Sequence, residues 1–179
     1  VSYNFGPPDL SLPEIPVPVV QENKPEVAKD ECDAAFKFAF VGAGQGGTRI
    51  TEAFYDLGYR KLAAINTAQQ DLNTSTLKNK LCIGDGGAGK DPKVAKDLYE
   101  DRKEDVLDCL RDSFGENLDR IFVCAGAGGG TGAGIVASLA STCEELLKTI
   151  RASNQKVGVI LALPKISEGA LVSRNAYRT

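Results

Sequence analysis

Two patterns of apolar and polar positions alternate along residues 36–179. Short, nearly continuous apolar runs predict strands, and longer segments with apolar residues three or four positions apart predict helices. The predicted strands are FKFAFV, KLAAIN, KLCIG, DRIFVCAG and KVGVILAL. Because strands alternate with helices and DRIFVCAG is apolar almost throughout, the sequence predicts an α/β fold, a Rossmann-like doubly wound parallel sheet buried on both faces.

The predicted helices begin or end at residues that suit those positions. TRITEAFYDLG should end at Gly58, since glycine is a common C-terminal cap. A long helix should begin after Asp91, a suitable N-cap, with Pro92 at its first position. A last helix is predicted over residues 167–177, with Glu168 in its first turn. The long helix should bury Val94, Leu98, Val106 and Leu110, and the following helix Ile135, Leu139, Cys143, Leu146, Leu147 and Ile150.

Residues 1–35 differ in composition from the predicted domain of residues 36–179. Their prolines block regular helix and central strand, so LSLPEIPVPVV should be extended and partly polyproline in conformation. Two interpretations stay open: a flexible tail, or an arm that docks on a partner. The apolar residues that favour an arm are Leu10, Leu12, Ile15, Val17, Val19 and Val20.

Composition excludes several classes of function. The chain has 179 residues and a net charge of -3, which gives no electrostatic reason to expect nucleic acid as a ligand. No apolar run approaches the roughly 20 residues of a membrane span, and no signal peptide pattern opens the chain, so a cytoplasmic protein is expected. The five cysteines lack metal-like spacing and are expected to be buried thiols. With no histidine present, the sequence predicts no metal site and leaves the catalytic residues unassigned.

A first glycine loop, Gly42 to Gly47, follows the first predicted strand and matches the spacing G-x-G-x-x-G. Absent side chains let backbone N–H groups approach a phosphate at a helix start. The spacing alone would suggest NAD or FAD. That interpretation needs a carboxylate after the second strand to hold the ribose, but the strand ends in Asn66 and Thr67. A dinucleotide site is therefore a minor alternative.

A second glycine loop, residues 125–134, lies between a buried strand and a helix. So many glycines are entropically costly and are expected where backbone wraps closely around a ligand. Two such loops on adjacent strand ends predict a nucleotide with two or three phosphates. A third loop, residues 84–91, contains Lys90, which is interpreted as an exposed turn lysine, with a terminal phosphate as the alternative contact. No G-x-x-x-x-G-K-[ST] motif is present, so this is not a P-loop.

Together these loops resemble the tubulin/FtsZ family. GGGTGAG at residues 128–134 is similar to the family signature G-G-G-T-G-[ST]-G, and the Gly44-Gln45 pair is similar to the first loop of tubulin. AAINTAQQDL and GGAGKDPKVA are similar to the second and third loops of FtsZ, and LPKISEG to the fifth. The resemblance covers residues 38–174 in the family's order.

The resemblance implies GTP or GDP on a Rossmann-like domain, with Mg2+ as a further candidate cofactor. It implies that the first loop and its helix surround the phosphates and base, that the signature holds the β- and γ-phosphates, and that Glu168 contacts the ribose. Thr131 also suits an oxyanion on physical grounds, because its hydroxyl and N–H lie at a helix start. The expected binding residues are Gly44, Gln45, Gly46, Gly47, Arg49, Asn66, Ala88, Gly89, Gly128, Gly129, Gly130, Thr131, Gly132 and Glu168.

The sequence departs from the family pattern at several positions. Arg49 stands where the family has an amide that reads the base, and Ala133 removes the last hydroxyl of the signature. Ala68 replaces the FtsZ aspartate near the metal, and Val172 falls on the arginine of the fifth loop. The family's central helix, catalytic loop and second domain would not fit before Thr179, so hydrolysis is expected to need a loop that this chain lacks.

Two functions from different classes follow. The first is a GTP-binding module of a filament- or assembly-forming GTPase, with self-association or a larger protein assembly as partner. The second is a structural protein that keeps the fold without turnover and docks through residues 1–35. The replacements at Ala68 and Ala133 favour the second.

Overall fold

The computed structural model describes residues 36–150 and 156–179. The elements in chain order are β1 (Phe38–Ala43), α1 (Gly44–Asp56), β2 (Leu62–Asn66), α2 (Gln69–Asn73), β3 (Lys80–Cys82), α3 (Pro92–Asp101), α4 (Lys103–Phe114), β4 (Arg120–Gly126), α5 (Thr131–Thr149), β5 (Lys156–Ala162), a 3-10 turn (Ile166–Glu168) and α6 (Ala170–Arg178). Residues 1–35, where the sequence leaves a tail or a docking arm open, lie outside the described residues.

The five strands form one parallel sheet in the order β3-β2-β1-β4-β5. The predicted α/β fold with a doubly wound parallel sheet is confirmed. β1 is central, and its Val41 lies opposite Ala63 of β2 and Val123 of β4. Because all strands are parallel, their carboxyl ends meet at one edge, where the connecting glycine loops follow β1 and β4.

Both faces of the sheet are packed, which explains the continuous apolar runs of the central strands. Successive side chains of β1 enter opposite cores: Val41 belongs to the cluster that includes residues of α3, α4 and α5, and Phe40 belongs to the cluster on the side of α1 and α2. Phe40 stacks on Phe54 of α1 with ring centroids 3.8 Å apart. The predicted cap of α1 is also present, since Gly58 has a φ of +100° and its N–H donates to the Tyr55 carbonyl.

Three details of the predicted helices are wrong. The long helix after Pro92 is two helices, interrupted at Arg102, whose φ of −118° and ψ of 20° are not helical. Val94 is 43% exposed, and α3 instead buries Ala95 and Tyr99. The last predicted helix is a 3-10 turn followed by α6, so Glu168 lies in the turn. The short α2 had no sequence signal strong enough to predict it.

A buried hydrogen bond joins α3 to α5. The Tyr99 hydroxyl donates to Thr142 Oγ1 over 2.7 Å, and the Thr142 hydroxyl donates to the Ser138 carbonyl. Burial raises the pKa of Tyr99 above its usual value. We expect Tyr99→Phe to lower the free energy of unfolding by about 1 kcal/mol, because one buried hydrogen bond is lost while Thr142 keeps a partner.

Denaturant unfolding followed by circular dichroism measures this loss. Tyr177→Phe is the matched control, since that side chain is 93% exposed, and its effect should stay within about 0.5 kcal/mol. Equal stability changes in the two variants would contradict the role given to the Tyr99 hydroxyl.

The four cysteines of the described part of the chain are free thiols. Cys124 and Cys143 are buried, as expected, whereas Cys82 and Cys109 are half-buried. Burial raises the pKa of the Cys124 thiol to about 11. Among the described helices, none combines the length and apolar character that crossing a membrane requires.

Candidate functional site

A cavity of about 580 Å³ lies at the carboxyl edge of the sheet. The loops after β1, β2, β4 and β5 surround it, together with the loop that precedes α3. The cavity therefore collects the glycine loops that the sequence singled out. The expected binding residues that line it are Gly44, Gln45, Gly46, Ala88, Gly89, Gly128, Gly129, Gly130, Thr131, Gly132 and Glu168.

The N-termini of α1 and α5 both open onto this cavity. Within the described residues, no side chain caps either helix start, and the first turn of neither helix contains an acidic residue. The first N–H groups of a helix lack intrahelical partners, and the helix dipole adds positive potential there. Two such ends directed at one cavity favour an anion with several oxygens, such as a di- or triphosphate.

The first two glycine loops are in backbone contact. Gly44 has a φ of +67°, a conformation that side chains rarely adopt, and a Cβ on it would lie 2.9 Å from the Gly132 nitrogen. A Cβ on Gly132 would lie 2.7 Å from the Gly126 carbonyl oxygen. The helix starts can therefore approach each other only because these positions carry no side chain.

Two hydroxyl groups meet on the wall of the cavity. Thr131 Oγ1 at the start of α5 lies 2.7 Å from Thr67 Oγ1 at the end of β2. Thr67 is fully buried, and its carbonyl accepts a hydrogen bond from the Gly87 N–H. Thr67 thereby connects the loop after β2 to both the signature loop and the loop before α3.

Asn66 supports this arrangement from beneath the cavity. It is 1% exposed, and its Oδ1 accepts from the Thr67 and Ala68 N–H groups while its Nδ2 donates to Asp71 Oδ2 over 3.1 Å. These bonds occupy both ends of the amide, so Asn66 holds the loop after β2 rather than lining the cavity.

Two further expected binding residues also lie outside the lining. Gly47 is buried where α1 crosses β4, and Arg49 is exposed on α1. The contact of Arg49 with a base stays a prediction from family resemblance.

The charged residues of the lining are Lys90, Asp71 and Glu168. Glu168 Oε1 accepts a hydrogen bond from the Lys165 N–H across the 3-10 turn. Lys90 is exposed and lines the cavity, so the position of this turn lysine is compatible with either interpretation given above. No group of three or more Cys, Asp or Glu side chains that could hold a metal ion is present in residues 36–150 and 156–179.

Sequence reasoning missed Thr67 and Asp71 as cavity residues. The signal for Thr67 was available, because a polar residue directly after a buried strand lies at the ligand edge of a parallel sheet. Asp71 is one helical turn beyond Ala68, on the short α2 that the sequence pattern did not predict.

Comparisons with known proteins agree with the fold and the motifs. A model of the Tubulin/FtsZ family, GTPase domain, matches residues 37–179. The cell division protein FtsZ of Aquifex aeolicus is 34% identical over 117 residues, which are 62% of this chain and 30% of that protein.

Solved structures of CetZ proteins superimpose on this chain. CetZ2 from Haloferax volcanii, described as a GTPγS-bound protofilament, superimposes with a TM-score of 0.70 and 27% identity over 79% of this chain and 44% of that one. CetZ1 from the same organism, a GDP-bound monomer, has a TM-score of 0.65 and 29% identity over 79% of this chain and 46% of that one. The matched region is thus less than half of each relative's length.

Proposed function

Because this chain belongs to the tubulin/FtsZ family, we propose that its cavity binds GTP or GDP and that the bound nucleotide controls contact with further subunits. The observation that carries the proposal is the pair of uncapped helix N-termini, α1 and α5, that open onto one cavity. One helix start suits a single phosphate group, and two adjacent starts suit the β- and γ-phosphates of a nucleotide. The solved structures of CetZ2 and CetZ1 are GTPγS-bound and GDP-bound, respectively, which supports a guanine nucleotide here.

The arrangement also favours a mononucleotide over NAD. In a dinucleotide site the carboxylate that holds the ribose follows the second strand directly. Here β2 ends in Asn66, whose Nδ2 donates to Asp71 and whose Oδ1 accepts from loop N–H groups. The proposed ribose contact is instead Glu168, which follows β5. β5 lies at the opposite end of the sheet from β3, on the other side of β1 from β2.

Asp71 makes the cavity suitable for Mg2+ bound together with the nucleotide. A carboxylate beside bound phosphates would repel them unless a cation lies between, and Mg2+ is commonly held by one or two carboxylates plus phosphate oxygens. Asp71 and the Thr131 hydroxyl are side-chain oxygens that the lining offers to the cation, and the fully buried Thr67 hydroxyl holds that of Thr131 in place. When bound, Mg2+ would neutralise phosphate charge, and Asp71 would take the place of the carboxylate lost at Ala68.

We expect Asp71→Asn to raise the Mg2+ concentration that half-maximally strengthens GTP binding by about 10-fold, because a charged ligand becomes neutral. The substituted side chain keeps an oxygen that can accept the Asn66 N–H, so the loop should stay in place. GTP titrations at a series of Mg2+ concentrations measure the shift, and a sample with EDTA gives the affinity without Mg2+. Asp85→Asn is the control, since Asp85 is exposed and lies outside the lining. An unchanged Mg2+ dependence in Asp71→Asn would exclude Asp71 as a ligand.

The proposal is tested by denaturing the purified protein and identifying the released nucleotide by chromatography. Retained GDP or GTP at about one per chain would support it. A chain that holds NAD would overturn it, and so would one that is empty and does not take up added GTP.

A non-hydrolysing assembly protein is the second candidate. It is favoured by Ala68 in the cavity lining and by apolar side chains exposed around the end of β5, where Leu163 is 72% and Ile166 94% exposed. Phosphate release and sedimentation measured together in GTP distinguish the candidates. Assembly with turnover supports the GTPase, and assembly without phosphate release supports the structural protein.

A further inference from the structure

Asn175 is a buried amide on α6, whose neighbouring residues are mostly exposed. It is 4% exposed, and its Nδ2 donates to the Lys90 carbonyl over 2.9 Å. The same nitrogen lies 3.5 Å from the carbonyl oxygens of both Gly128 and Gly129. One side chain therefore joins α6 to the loop before α3 and to the signature loop.

The distances indicate how the two N–H groups of the amide are used. One makes a short bond to Lys90, and the other is shared, at longer distance, between two adjacent carbonyls of the signature loop. Buried polar groups are retained where they are hydrogen-bonded, and a leucine of similar size could bind none of these carbonyls. The three carbonyls explain why the buried face of α6 carries an asparagine.

The loop held by Asn175 has an unfavourable backbone conformation. Lys90 has a φ of +62° and is, within the described residues, the one non-glycine residue in this region. A side chain in that conformation costs about 1 kcal/mol or more, so the surrounding contacts must maintain it. The contacts are the Asn175 bond to the Lys90 carbonyl and the bond from the Asp91 N–H to the Ala88 carbonyl, 2.8 Å long.

The loop is also pressed against the signature loop. A Cβ on Gly130 would lie 2.9 Å from Lys90 Cα and 3.0 Å from the Asp91 nitrogen. The Asn175 bond and this close packing together hold Lys90, the one basic residue that lines the described cavity, in its place. The terminal phosphate of a triphosphate adds negative charge that a diphosphate lacks, so a basic residue in the lining affects mainly the triphosphate.

We propose that Asn175 is a positioning residue that clamps the loop of residues 88–91 against the signature loop and thereby gives the site its preference for a triphosphate over a diphosphate. This inference rests on the proposed function, because it assigns the terminal phosphate of the nucleotide to that loop.

The test compares Asn175→Leu with the wild type in two measurements. In GTP and GDP titrations, GTP affinity should fall about 10-fold while GDP affinity changes less than about twofold, as expected if the loop that carries Lys90 acts on the terminal phosphate. In nucleotide-free protein, the Asp91 amide should exchange hydrogen about 10-fold faster. Arg178→Leu, on an exposed position of the same helix, is the control and should match the wild type.

Different results of these measurements would overturn the clamp and the proposed function. Equal losses of GTP and GDP affinity, or an unchanged exchange rate, would overturn the clamp. A wild type that binds neither nucleotide would overturn the proposed function, and the exchange measurement would still decide the clamp. If Asn175→Leu does not fold, Asn175→Ser replaces it, because its shortened side chain also loses the Lys90 bond and should give the same selective change.

Discussion

Replacing Gly47 with alanine is expected to lower the free energy of unfolding by about 3 kcal/mol, the upper end of the usual range for overpacked core positions. A Cβ at this position would lie 2.1 Å from the Cys124 carbonyl oxygen and 2.9 Å from its carbon. Both atoms belong to the backbone of β4, so no side chain can rotate away. The first turn of α1 would have to move off the sheet, which would also displace the loop that lines the cavity.

Thermal unfolding followed by circular dichroism measures this effect, and a drop in Tm of roughly 6–12 °C is expected for a domain of this size. Gly86→Ala is the matched control, because Gly86 has an ordinary φ and nothing within 4 Å of its Cβ position. That variant should be as stable as the wild type. A Gly47→Ala protein with unchanged Tm would show that α1 is not packed on β4 as described.

Thr131→Val is expected to weaken GTP binding by about 10- to 100-fold, the value of one hydrogen bond to a charged group. The hydroxyl lies at the uncapped start of α5, beside the Thr67 hydroxyl, where the proposed phosphates bind. Valine keeps the branched shape of threonine, so packing is conserved. Binding of a labelled GTP analogue by fluorescence anisotropy measures the change.

Thr149→Val serves as the control for this substitution, because Thr149 lies in the last turn of the same helix and its hydroxyl donates to the Leu146 carbonyl. Its GTP affinity should equal that of the wild type. If Thr131→Val bound GTP within about twofold of the wild type, the signature loop would not hold the phosphates as proposed.

The sequence predicted the parallel sheet because strand positions depend on short apolar runs between glycine loops, which are local signals. It failed at the interruption of the long helix. The residues around Arg102 are polar and carry no proline or glycine, so nothing in the local pattern marks a break. Tyr99 takes the buried position through its bond to Thr142, a contact between residues 43 positions apart that a helical pattern does not contain.

The glycine loops of the site were likewise predictable, because glycine density after a buried strand has few structural explanations. The contacts between loops were not. Thr67 meets Thr131 across 64 positions, and Asn175 meets Lys90 across 85 positions. Such pairs depend on how the loops fold together, so a pattern along the chain identifies the wall of the cavity but not its hydrogen bonds.

The binding residues that the family resemblance implied fall into two groups, those that line the cavity and those that do not. Residues 128–132 of the signature line the cavity, whereas Gly47, Arg49 and Asn66 do not. Asn66 is a buried support for the loop after β2, a role that depends on its Asp71 and Thr67 partners. The binding roles that the resemblance implies for these residues stay predictions, which the binding measurements proposed above test.

Calorimetric titration of the nucleotide-free protein with GTP, ATP and NAD in Mg2+ tests most directly whether the cavity is a guanine nucleotide site. We expect one GTP per chain and an affinity for ATP at least about 10-fold weaker, with no binding of NAD. Absence of GTP binding, or binding of ATP or NAD as tight as that of GTP, would show that the cavity is not a guanine nucleotide site.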